Sequence, residues 1–122
     1  EDLLEDLDHK HKEALEQAQE ARSIYRKHKN SMGEADALRV LIEVKLLDAG
    51  SKKPTQALEL AEKELERFRK KKDEFGEASM LLSLALINMD KRGSANREKG
   101  LQQAKDAMTI FQELGDRKME AV

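Results

Sequence analysis

The chain contains no cysteine, a single proline and only four aromatic residues, Tyr25, Phe68, Phe75 and Phe111, in 122 positions. The missing cysteine excludes disulfides, a thiol nucleophile and thiolate metal ligation. One proline and six glycines leave little punctuation, so the elements between them must be long. No apolar run approaches the ~20 residues needed to span a bilayer as a helix, and no signal-peptide pattern opens the sequence. A strong excess of one charge sign is also lacking. The formal net charge is −2, so no global field draws the molecule to nucleic acid or anionic lipid. No stretch alternates with period two over a useful length, and no strand is expected.

What is abundant is charge, at 39% of residues, with a mean hydropathy of −0.79. Such a composition fits either disorder or amphipathic helices with solvated outer faces, and regular apolar positions decide for helices. Those positions repeat. Ser31-Met32-Gly33-Glu34-Ala35 returns as Glu74-Phe75-Gly76-Glu77-Ala78 at an interval of 43 residues, and Lys118-Met119-Glu120-Ala121 keeps the register. The same interval relates Tyr25, Phe68 and Phe111, then Ala18, Ala61 and Ala104, then Leu15, Leu58 and Leu101. A gapless interval of this length marks an internal structural repeat.

Within each unit the apolar residues recur at three and four, as in Ala14, Ala18, Ala21 and Tyr25, and so describe helices with one buried stripe. The spacing predicts helices at about 10–30, 33–49, 54–73, 76–92 and 97–114. Gly50-Ser51 and Gly93-Ser94 act as stops, and Pro54 sits near a first turn, where its missing N–H is harmless. Leu3 and Leu4 fall in register with Leu46 and Leu47 and read as the tail of an earlier helix. Gly115-Asp116 reads as another break, with a further helix beginning at Met119.

This pattern resembles the tetratricopeptide repeat in a long variant of about 43 residues per unit, most clearly along Ala107-Met108-Thr109-Ile110-Phe111-Gln112-Glu113-Leu114-Gly115-Asp116-Arg117. Small-residue positions of the family map to Ala14, Ala57 and Gly100, to Ala18, Ala61 and Ala104, and to Ala21, Glu64 and Ala107. Glu64 departs from that rule, Ile42 is large where the family prefers Gly or Ala, and Lys45 and Asn88 replace its usual aromatic. The resemblance implies an all-α fold: one domain over 1–122, a right-handed superhelical solenoid of antiparallel helix pairs, about two and a half repeats, in a fragment of a longer chain. Each pair has too little apolar surface to stand alone, so the ends are expected to contact flanking repeats or other subunits.

Few residue constellations carry chemistry. Asp8-His9-Lys10-His11 has a His-x-His spacing, but residues two apart on a helix point to different sides, and no cysteine and no third histidine close in sequence completes a site. It reads as a solvated turn, and no metal or cofactor is expected. Arg67, Arg69, Lys70, Lys71 and Lys72 form the densest basic run. The first unit has Arg26, Lys27, His28 and Lys29 at the corresponding helix end, where cations complement the helix dipole. The one aromatic within the Arg67–Lys72 run, Phe68, shares the register of Tyr25 and Phe111 and is read as core, so the run is not read as a nucleic-acid site. No nucleophile elbow, phosphate loop, zinc helix motif or dinucleotide fingerprint is present, so no catalytic residues are assigned and the chain is not read as an enzyme.

The resemblance further implies a concave groove lined by one helix of each pair. The matching positions are Asp36, Arg39, Glu43 and Leu46 in one unit and Ser79, Leu82, Leu86 and Met89 in the next. Leu82, Leu86 and Met89 form an apolar stripe where solvent is expected, which marks an interaction surface. The sequence thus points to a non-catalytic module that binds a protein or peptide segment, with an intracellular, cytoplasmic setting. Two alternatives are a structural spacer inside a larger assembly, whose neighbours cover the stripe, and a helical accessory region of a multidomain enzyme.

Overall fold

The computed structural model describes residues 3–50, 52–90 and 96–120, with side chains from 9 to 118 within those ranges. It is all-helical among the described residues. The helices are α1 (Leu3–Lys27), α2 (Ser31–Asp48), α3 (Thr55–Lys70), α4 (Glu74–Asn88) and α5 (Arg97–Glu120). No described helix is long and apolar enough to cross a membrane.

Two junctions follow one plan. At the end of α1, Lys29 adopts a left-handed φ of 56°, the Asn30 N–H donates to the Tyr25 carbonyl, and the Lys29 N–H donates to Arg26. At the end of α3, Lys72 has φ 59°, Asp73 donates to Phe68, and Lys72 donates to Arg69. This bonding satisfies carbonyls that a helix end leaves without partners. The residue that closes one helix then caps the next. Asn30 Oδ1 accepts from the Gly33 N–H at 2.9 Å, and Asp73 Oδ1 accepts from the Gly76 N–H at 3.1 Å. These caps start α2 and α4 at Ser31 and Glu74, two residues earlier than the glycines suggest.

Both glycines exist for a close approach. A Cβ on Gly33 would lie 2.3 Å from the Tyr25 ring, and one on Gly76 would lie 2.2 Å from the Phe68 ring. The aromatic therefore lies flat against the start of the following helix, and no larger residue fits without a shift. Phe68 is 0% exposed there, while Tyr25, nearer the edge of the molecule, is 37% exposed.

The third expected junction does not form. Gly115 and Asp116 stand 43 residues after Lys72 and Asp73, yet α5 continues through them to Glu120. The sequence offers a reason: position 119, in register with Gly33 and Gly76, is methionine. A side chain at that place in a folded-back turn would meet the Phe111 ring. Phe111 instead packs edge-on against Phe75, with ring centroids 5.6 Å apart. At the other end, Leu3 and Leu4 belong to α1 itself, so no separate helix precedes it among the described residues. The stop expected at Gly93-Ser94 lies outside the described residues, as do Ser51 and the residues after Glu120. Gly50 ends α2 with φ +60°, as its position suggests.

α2 packs against α1, α3 and α4, and α4 packs against α2, α3 and α5. These two helices form the row that the other three lean on. Their burial follows: Leu38, Leu41 and Ile42 of α2 and Met80, Leu81, Leu84 and Ile87 of α4 are core residues. Removing such side chains from water stabilises the fold by roughly 1.5–3 kcal/mol each. Small residues set the spacing, with Ala57, Ala61 and Ala107 fully buried and Gly100 close to the Ala85 carbonyl. Asn88 donates to Gln103 at 2.7 Å and so ties α4 to α5.

Candidate functional site

The groove positions divide by burial. Asp36 and Glu43 on α2 are exposed, Arg39 and Leu46 are half-buried, and Leu46 packs on the core. On α4, Leu86 is 51% exposed and Met89 44%, while Leu82 is half-buried against the core. Ser79 does not belong to the lining. It is 0% exposed, and its hydroxyl oxygen has no hydrogen-bond partner. α4 is packed by α2, α3 and α5, and register alone does not locate which of its residues they cover.

Two residues outside the expected set are present. Val40 and Leu47 of α2 are 47% and 63% exposed, and with Asp36 and Glu43 they recur at four, three and four, so they share one helical face. The open stripe on α2 is therefore Asp36, Val40, Glu43 and Leu47, one residue along from Arg39 and Leu46. That spacing was the available signal. Met89 also leans on α5, since a Cβ on Gly100 would lie 2.8 Å from its Cγ.

The basic run is divided by direction. Arg67 turns inward: its Nε donates to Glu64 at 2.6 Å, its Nη2 to Glu34 at 2.7 Å, and its guanidinium lies 4.6 Å from the centre of the Phe68 ring. Arg69 pairs with Glu77 at 3.1 Å, just as Arg26 sits 3.6 Å from Glu34 one unit earlier. Lys71 and Lys72 remain exposed at the end of α3. Thus much of the apparent positive patch belongs to ion pairs within the fold.

Those pairs centre on a cluster that sequence reasoning missed. Glu34 and Glu64 are each 2% exposed, and Arg22 of α1 reaches Glu64 at 3.0 Å. Buried carboxylates persist only when paired and hydrogen-bonded. Here two arginines bridge them, which explains an acidic residue where Ala21 and Ala107 stand in the other units. The cluster joins α1, α2 and α3. A separate exposed pair, Arg117 with Glu74 at 2.7 Å, holds the Glu74 carboxyl below its ordinary 4.5 by a hydrogen bond.

His9 and His11 lie within α1 rather than in a turn, and His11 Nδ1 is 3.8 Å from Asp48. Among the described residues no group of three or more His, Asp or Glu is placed to hold a metal ion. Open clefts lie between α1 and α3 over α2, lined by Leu15, Val44 and Gln56, and between α3 and α5 over α4, lined by Leu65, Leu84 and Gln103. Compared with protein-family models, curated proteins and solved structures, the chain matches none of them.

Proposed function

We propose that the chain is a tetratricopeptide-like helical repeat module, a right-handed stack of antiparallel helix pairs, that binds an extended or helical protein segment on the face shared by α2 and α4. The observation that carries this reading is the exposure of Leu86 and Met89 on α4, a helix whose other large apolar residues are buried or half-buried. Val40 and Leu47 are exposed on the neighbouring α2, with Glu43 between them and Asp36 one turn before Val40. Apolar anchors set among charged residues follow the division between centre and rim found in protein interfaces. The function is non-catalytic, and the reading is supported by the recurring caps, glycine contacts and Arg–Glu pairs at 43-residue spacing.

Selection of 12-residue peptides from a random display library on the immobilised chain tests this. Enriched peptides are expected to carry spaced apolar residues, to lose at least tenfold in affinity to Leu86→Asp, and to bind Lys71→Asp unchanged, with helicity equal in all three proteins. Equal binding to wild type and Leu86→Asp would remove the groove. Selective loss with Lys71→Asp would move the binding surface to the basic end of α3.

A further inference from the structure

The cleft between α1 and α3 collects cations from three places. One part of it, about 370 Å³, is lined by Lys12 of α1 and Lys45 of α2 beside the apolar Leu15 and Val44. An adjoining part of about 310 Å³ shares Lys45, Asp48 and Gln56 with the first and adds Lys52 and Lys53 from the segment before α3. Asp48 is the only carboxylate lining either part, and the His11 ring already stands 3.8 Å from it. The cleft is thus locally basic in a chain whose net charge is −2.

Lys45 distinguishes this cleft from a merely charged surface. It is half-buried, and among the described residues it makes no ion pair. Its counterpart 43 residues on, Asn88, donates its amide hydrogen to Gln103 of α5. Gln103 corresponds in turn to Leu60 of α3, whose side chain offers no acceptor. The first unit therefore turns a cation toward an open cleft where the second unit closes a hydrogen bond between helices. A half-buried ammonium is costly unless an anion meets it. Lys12, Lys52 and Lys53 are exposed and likewise make no ion pair among the described residues. α3 begins beside them with no acid in its first turn, so nothing there repels an anion.

We propose that this cleft binds a small anion carrying at least two phosphate groups, with Lys45 as the shared contact. Lys12 lines only the first part and Lys52 and Lys53 only the second, so a ligand that engages all of them needs more than one anionic group. Lysine ammonium groups meet phosphate as point charges, without the planar geometry that arginine imposes. Each part of the cleft also falls in the range of small-molecule pockets, roughly 300–1,000 Å³.

The probe is inorganic tripolyphosphate, titrated into the whole chain and read by calorimetry at about 0.15 M salt, where attraction between distant surface charges is screened. Saturable binding is expected, weakened about tenfold by Lys45→Met and by the double variant Lys52→Gln, Lys53→Gln. Lys71→Gln removes one charge at the other end of α3 and is expected to bind as wild type does. Orthophosphate is expected to bind about tenfold more weakly than tripolyphosphate, and circular dichroism checks that every variant keeps its helices. Flotation with vesicles of nine parts phosphatidylcholine to one part phosphatidylinositol bisphosphate separates a lipid-borne from a free phosphate. Lys45-dependent binding in either arm supports the site and names the source. Absence of saturable binding in both arms, undiminished binding by Lys45→Met, equal loss with Lys71→Gln, or equal affinity for orthophosphate overturns the proposal. None of these readings involves a peptide or Leu86, so this site and the α2–α4 face can fail separately.

Discussion

Tyr25 and Phe68 hold equivalent places against Gly33 and Gly76, yet they differ in what surrounds them. Phe68 is fully enclosed and also carries the Arg67 guanidinium over its face, whereas Tyr25 keeps one side in water. Truncating a buried aromatic removes its transfer free energy and leaves a cavity, at a cost of about 3–5 kcal/mol. Phe68→Ala is therefore expected to cost that amount in urea unfolding, a large share of a small domain's stability, and Tyr25→Ala clearly less. Equal midpoints for the two variants would show that the enclosure of Phe68 does not set its energy.

At the scale of the element, the helix junctions explain why α5 is longer than α3. Lys29 and Lys72 occupy left-handed conformations that cost a non-glycine residue roughly 1–2 kcal/mol. The third junction carries the better residue, Gly115, and nevertheless stays helical, where glycine is unfavourable by about 0.5–1 kcal/mol relative to alanine. Opposite substitutions are therefore expected to stabilise the two places. Lys72→Gly should raise stability by about 1 kcal/mol by relieving the turn, and Gly115→Ala should raise it by about 0.5–1 kcal/mol by strengthening the straight helix. Thermal unfolding of both variants checks this, and a loss of stability in Gly115→Ala would mean that a turn forms there in solution.

For the whole molecule, the ion-pair cluster matters because it spans three helices. Glu34, Glu64, Arg22 and Arg67 connect α1, α2 and α3 through side chains at 2.6 to 3.0 Å. Deleting one member leaves its partners poorly compensated, and breaking a buried pair typically costs about 3–5 kcal/mol. Glu64→Ala is expected near the lower end, since Arg22 and Arg67 keep Glu34 and some access to water. The double variant Arg22→Ala, Glu64→Ala should lose less than the sum of the two singles, as coupled residues do. Strict additivity in denaturant unfolding would show that the cluster does not act as one unit.

The residue pattern by itself determined the helical class and the five described helices to within a few residues at most of their ends, because periodicity and glycine placement are local signals. The shared register of Tyr25, Phe68 and Phe111 implied one buried niche for all three, but only Phe68 is enclosed, Tyr25 being 37% exposed and Phe111 half-buried against Phe75. The end of α5 was not legible, since Gly115-Asp116 is a good local break that the helix nevertheless runs through. Exposure along α2 and α4 was legible in part. Leu86 and Met89 are exposed as their register implies, while burial of Ser79 and exposure of Val40 and Leu47 depend on how α2 lies against α4. Glu64 read as a departure from a small-residue rule, and tertiary structure decided its role, because its partner Arg22, and Glu34 with which it shares Arg67, come from other helices. A charge in a sequence shows neither its depth nor its neighbour, and those two quantities set whether it solvates a surface or holds a core.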